Sequence, residues 1–445
     1  MSLFIAGHQP DLFHPGVWLK NFALNSLAKR HGALPLNLVI DNDTVKSTTV
    51  RVPILGRRDQ PQSVHSIAVP FDHFAGEVPF EERAVLDEVL FADFPRAVAE
   101  RTADWPFTPF LPAFWQELPP PPAHLGDRLA AGRRTWERRW GCDNPELPIS
   151  RLCRTAAFAQ FAMALLADLP AFHAAYNACV HEYRRSHRIR SNNHPVPDLL
   201  RDGEWLEAPF WAWPVGGRRR GQLFVRGVAG GWELRVGGKR WPDLPRSGTV
   251  EHWRRLESDG FKVRTRALTT TLFARLCLAD LFIHGIGGGK YDELTDAIIA
   301  RHFGIQPPGF LVLTGTLRLP LPTYPATADD ERTTRRLVRD IHWNPQRHLP
   351  PDAEDWQDMV DAKMELASAT NVNAPHARYL EMRRLTNRIH ERVTDIEADA
   401  RRHADRVSAE VAANAILRRR DYAFCLFPDA SLRPFLQRFQ ASVLA

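Results

Sequence analysis

The opening stretch constrains this chain more than any other. Leu3–Ala6 reads as a short apolar strand, Val17–His31 as a helix, and Leu36–Ile40 as a second strand running into Asp41-Asn42-Asp43. Val17, Phe22, Leu24, Leu27 and Ala28 give the helix an apolar face, and Gly32 is placed to close it. A strand–helix–strand unit this short predicts a parallel strand pair joined by a right-handed crossover. Sheets of that kind bind ligands beyond the carboxyl ends of their strands. Two polar clusters fall at such ends: Gly7-His8-Gln9-Pro10, with His14 beyond it, and Asp41-Asn42-Asp43-Thr44.

At 445 residues the chain is too long for one core, so two or three structural units are expected. Its 58 Lys+Arg against 52 Asp+Glu leave a net charge of +6, with no dense basic block. That balance suits a small anionic partner and argues against a nucleic-acid surface. The five cysteines are scattered, odd in number and form no Cys-x-x-Cys pair, which argues against a zinc site or a disulfide framework and fits a reducing, cytoplasmic setting. The start lacks a basic segment followed by a long apolar one, so no signal peptide is expected. The most apolar stretch, Leu268–Ile286, carries Arg275 and Asp280 and reads as a buried helix, not a membrane span.

Further along, short strands are expected at Arg51–Leu55 and Val64–Val69, with a helix near Glu81–Phe91. Ile149–Arg188 reads as helical. The segments around Gly221–Arg226 and Trp232–Val236 alternate about Gly230-Gly231 as a β-hairpin. Helix resumes over Thr269–His284, breaks at the glycines, continues over Tyr291–Phe303, and is followed by a strand at Phe310–Thr314. From Met382 to Ala415 apolar residues recur with an 11-residue period. This predicts one nearly straight helix of about 40 residues, roughly 60 Å long, packing on Asp355–Ala369 or on a second copy of the chain.

Four clusters carry possible chemistry. His8 and Gln9 offer a proton carrier and an amide at a strand end, or merely satisfy a buried carbonyl. Asp41 and Asp43 suit an amine, a ribose or a metal ion, or serve a local turn. The run from His284 through Gly285, Gly287, Gly288 and Gly289 to Lys290 matches neither dinucleotide nor P-loop spacing. Its amides suit an anion, and its alternative is a flexible turn between helices. Arg266 lies upstream and brings a cation towards the same mouth, and Lys20 belongs to the same anion-binding set. The fourth, Arg218-Arg219-Arg220 beside tryptophans, reads as a solvated basic turn, although such a pairing also stacks on bases or sugars. No Gly-x-Ser-x-Gly or His-Glu-x-x-His signature is present, so covalent or zinc chemistry has no support in the motifs.

The order of Gly7-His8-Gln9-Pro10-Asp11-Leu12-Phe13, Asp41-Asn42-Asp43, Gly287-Gly288-Gly289 and the tail Leu426-Phe427-Pro428 resembles the cysteine-adding enzyme family of bacillithiol biosynthesis. The resemblance implies an α/β, Rossmann-like parallel-sheet core with an inserted helical and β-hairpin region and a long-helix, coiled-coil-like arm. On this division residues 1–150 and 251–325 form the core, 151–250 the insertion, 326–425 the arm, and 426–445 a tail packing on the core.

The implied activity is amide formation by a ligase or transferase, with a nucleotide-binding capacity for ATP or ADP, Mg²⁺ as a further possible cofactor, and a homodimer through the arm. His8, Gln9, Asp41 and Asp43 would be catalytic. His8, Asn42 and Lys290 depart from the family pattern of glutamine, histidine and an acidic residue, which points to an altered, anionic substrate. The alternatives are a nucleotidyltransferase using the His8 loop and a non-catalytic scaffold with a helical dimerisation arm.

Overall fold

Five parallel strands form the central sheet of the computed structural model, which describes residues 1–349, 356–368 and 375–442. Across the sheet they run Phe310–Leu313, Leu281–Gly285, Leu3–His8, Leu34–Val39 and Glu146–Pro148. The chain leaves Leu3–His8 towards one edge and later returns to fill the other. The sequential direction therefore reverses between Leu3–His8 and Leu281–Gly285, the kind of point where parallel sheets bind ligands. Register puts Ala6 opposite Ile283 and His8 opposite Val39.

The crossover helix, Pro15–His31, has local reasons to start and stop where it does. His14 caps it, with Nδ1 accepting from the Gly16 N–H at 3.1 Å, and Pro15 occupies the first turn. Gly32 takes the left-handed conformation at φ 60° and closes the helix behind Lys29, Arg30 and His31. The expected single apolar face is an underestimate. Lys20, Asn21, Asn25 and Ser26 are buried as well: Lys20 reaches the Gly7 carbonyl under the strand end, Asn21 and Asn25 bond Glu137 and Asn144, and the C-terminal helix Asp429–Ser442 packs on the same crossover helix.

An antiparallel sheet lies beyond, in the order Lys239–Pro245, Gly231–Val236, Gly221–Val228, Trp205–Pro214, Phe261–Thr265. The hairpin expected about Gly230-Gly231 is its middle pair. A separate two-stranded sheet joins Thr49–Ile54 to His65–Pro70. Among the described residues no single helix is long and apolar enough to cross a membrane.

Several expectations are corrected. Thr269–His284 is a helix only over Ala267–Cys277; its second half is the strand Leu281–Gly285, beside the first strand of the sheet. A short apolar run fits either element, and here sheet pairing decides. The glycines are the first turn of a helix, Ile286–Ile298, and not a linker between helices. The helix near Glu81–Phe91 lies at Glu88–Arg101, where Asp87 accepts from the N–H groups of Val89 and Leu90.

The expected 40-residue helix is two, Pro375–His390 and Thr394–Leu417, separated by a 3₁₀ turn at Glu391–Val393. The apolar phase slips at that turn: Ile396 is exposed and Glu397 buried in its place. The second helix packs chiefly on Ala328–Trp343, which the periodicity did not single out. Asp355 and Ala369, the ends of the expected partner helix, lie outside the described residues.

A buried carboxylate fastens the crossover helix. Glu137, on helix Leu125–Arg139, is fully buried, and its Oε1 accepts from Trp18 Nε1 at 2.7 Å, Asn21 Nδ2 at 2.6 Å and Arg133 Nη1 at 2.7 Å. Arg133 also bonds Glu146 on the edge strand, and Asn37 of the neighbouring strand donates to that carboxylate at 2.6 Å. Removing one member of a buried ion pair strands the others. Glu137→Ala is therefore expected to cost about 3–5 kcal/mol, read as a lower urea midpoint. Glu137→Gln, which keeps an acceptor, should lose less.

Candidate functional site

Strand ends and the inserted sheet meet over the carboxyl edge of the parallel sheet. Gln9 follows the first strand, and its Nε2 donates to Asp43 Oδ2 at 2.9 Å. The Asp43 Oδ1 accepts from the Thr44 N–H at 2.8 Å and faces Arg220 Nη1 at 3.2 Å. Arg220 comes from the inserted sheet, donates to the Asn42 carbonyl at 2.8 Å, and lies 4.8 Å from the Trp211 ring centre. Arg266 approaches the same ring at 4.5 Å and is tethered by fully buried Glu207.

Together Gln9, Asn42, Asp43, Trp211, Arg220 and Arg266 line a cavity of about 260 Å³. Its wall includes the start of helix Ala267–Cys277, which no side chain caps. The first N–H groups of a helix have no acceptor within it and attract negative charge. Asn42 donates from Nδ2 to the Thr265 carbonyl at 2.7 Å, while its buried Oδ1 has no hydrogen-bond partner in the protein. The site thus presents two guanidinium groups and helix amides for an anion, and the Asp43 carboxylate for a donor. A second cavity of about 530 Å³, lined by Thr44, Glu77, Arg218 and Arg219, shares Trp211 and Arg220 with the first.

The other expected site residues lie apart from this cavity. His8 is half-buried, packs edge-on against Phe13 at 5.0 Å, and has Nδ1 3.2 Å from the Gln9 carbonyl. Burial and the nearby Lys20 charge push its pKa down to about 3, so the ring is neutral at ordinary pH. Lys20 is buried beneath the strand end, donates to the Gly7 carbonyl at 3.0 Å, and is pushed down to about 8 by burial.

Asp41 does not face an amine or metal. It takes both the backbone N–H and the hydroxyl of Ser150 and so holds the start of helix Ile149–Leu152.

Gly287 and Gly288 are exposed, Gly289 is buried, and all three lie in the first turn of Ile286–Ile298, one strand away. A Cβ on Gly288 would come within 2.8 Å of His284 Nδ1. His284 in turn bonds Asp292 at 2.7 Å, which Arg275 also engages at 2.7 Å. The Lys290 side chain is exposed and absent from the cavity wall, and its carbonyl accepts from the Tyr183 hydroxyl. His14 is the helix cap.

Sequence reasoning passed over Arg220 and Trp211. The signal was present as arginines beside alternating tryptophans, but a solvated turn was the expected reading. That reading holds for exposed Arg218 and Arg219 but not for Arg220, which is largely buried against Asp43. No known protein family and no curated protein matches the chain.

Asp41 gives a pH signature separable from the cavity. Burial, and then the neighbouring Glu81 charge, raise its carboxyl from 3.8 to about 6. A raised carboxyl contributes stability that is complete below pH 3.8 and is lost as pH rises through 6. Asp41→Asn removes that titration. The variant should gain about 3 kcal/mol relative to wild type between pH 3.5 and 7, measured by urea unfolding across that range.

Proposed function

We propose that the parallel sheet is a Rossmann-like core and that the chain is an amide-forming ligase or related transferase acting on a small anionic substrate. The convergence of Gln9, Asp43, Arg220 and Arg266 on one cavity at the strand ends carries this reading. Asp43, held by Gln9, the Thr44 N–H and Arg220, accepts from a substrate amine. Arg220, Arg266 and the amides opening Ala267–Cys277 bind a carboxylate or phosphoryl oxygen and stabilise the oxyanion that forms when the amine attacks. The larger cavity across Trp211 and Arg220 suits the second half of a two-part substrate. Neutral His8 acts by fixing the Gln9 carbonyl, which makes it a positioning residue.

Activation of a carboxylate is the chemistry ATP would supply. Its phosphates would have to lie beside that carboxylate in the Arg220 and Arg266 cavity, whose wall does not include the glycines opening Ile286–Ile298. Mg²⁺ does not fit at Asp41 and Asp43, because Ser150 occupies the first carboxylate and a guanidinium faces the second. Nucleotidyl transfer through His8 has no comparable support, since its ring packs on Phe13 and lines neither cavity.

The test is mass-spectrometric detection of an amide when the protein is incubated with ATP, Mg²⁺, cysteine and a panel of amino-sugar acceptors. Asp43→Asn and Arg220→Met should each lower kcat/KM by about 100-fold, on the order of 3 kcal/mol of transition-state stabilisation. Their melting temperatures should stay near that of the wild type. Wild-type turnover in either variant overturns the assignment. A protein whose melting temperature responds to no member of the panel supports the scaffold alternative instead.

A further inference from the structure

Among the described residues, one group of metal-capable side chains lies far from the sheet, within the C-terminal helices. His342 ends helix Ala328–Trp343, His390 ends Pro375–His390, and Glu397 sits in the first turns of Thr394–Leu417. One ligand atom from each lies within 4.8 Å of the other two. His390 Nε2 contacts Glu397 Oε2, and His342 Nδ1 is 3.5 Å from Glu397 Oε1. The two imidazole centres are 5.5 Å apart.

The three side chains are set on an apolar footing. Ile341, Ile389 and Val393, each buried, lie next to His342, next to His390 and one turn before Glu397. Glu397 is only 4% exposed. Arg401, whose own side chain is mostly exposed, reaches Glu397 Oε1 from one helical turn on. Both histidines keep partial exposure, which leaves a side open to a fourth ligand.

We propose that His342, His390 and Glu397 form a site for a borderline divalent cation of the Zn²⁺ class, clamping the three helices at the 3₁₀ break. Two imidazole nitrogens and one carboxylate oxygen are a Zn²⁺ ligand set, with water completing the tetrahedron. Hard cations such as Mg²⁺ and Ca²⁺ prefer oxygen throughout. Zn²⁺–ligand bonds of about 2 Å separate tetrahedral ligands by roughly 3.3 Å, a spacing these groups reach by small side-chain rotations. Binding displaces the Arg401 guanidinium to solvent. The metal joins the helix that precedes the break and the one that follows it to Ala328–Trp343, so it stabilises the folded helices by mass action.

The test uses the full chain after chelator treatment. Calorimetric titration with Zn²⁺ should show one saturable site per chain, and the melting temperature should rise with Zn²⁺. Trp343 is exposed and lies edge-on to His342 at 4.8 Å, so its fluorescence should change over the same titration, with Cu²⁺ or Co²⁺ quenching it. His342→Ala, at a half-exposed position, should weaken binding by about 100-fold or more and abolish both responses. Cys277→Ser removes the exposed thiol and should leave them intact. Wild-type affinity in His342→Ala, loss of binding in Cys277→Ser alone, or no saturable site in the wild type overturns the proposal.

Discussion

The carboxylate of Glu137 is the contact on which the geometry of the sheet end depends. It collects an indole, an amide and a guanidinium on one oxygen inside the protein, and Arg133 carries the linkage on to Glu146. Three elements are thereby tied through buried charge: the crossover helix, helix Leu125–Arg139 and the edge strand. Buried ion pairs add little net stability compared with apolar packing, but they tolerate little displacement once formed. That intolerance keeps the crossover helix, with its buried Lys20, in one position beneath the ends of the first two strands.

The cavity inherits this rigidity and adds a contribution from elsewhere in the chain. Arg220 reaches the Asn42 carbonyl across 178 positions, and Asn42 reaches the Thr265 carbonyl across 223. The inserted sheet therefore docks through polar contacts on the backbone that follows the second strand. The Trp211 ring is the common contact of two guanidinium groups, Arg220 at 4.8 Å and Arg266 at 4.5 Å from its centre. Glu207 and Asp43 compensate them separately, so each arginine keeps a carboxylate partner while facing the same space.

Much of the architecture was legible in order. The first strand–helix–strand, the Gly32 stop and the central hairpin follow from local rules of periodicity and turn chemistry. The strand Leu281–Gly285 was not legible, because an apolar run that follows a helix carries no signal of its own pairing. The break at Glu391–Val393 was missed for a related reason. A stripe of small apolar residues is compatible with two phases, and burial of Glu397 in place of Ile396 decides between them. In the site, Gln9, Asp43 and Arg266 were identifiable as polar groups at strand and helix ends. Arg220 was set aside because an arginine run looks the same whether it is solvated or buried against a carboxylate.

The sequence by itself determined that this chain builds a parallel α/β sheet and that its chemistry-bearing residues cluster where strands end. Both follow from short-range patterns of two and 3.6 residues and from glycine and proline at the boundaries. The tertiary structure alone decided which clusters meet. It joined Gln9 and Asp43 to Arg220 and Arg266, left Lys290 and the glycines one strand away, and consumed Asp41 in holding Ser150. The physical reason is that a charge's role depends on what it is buried against, and those partners lie many residues away along the chain.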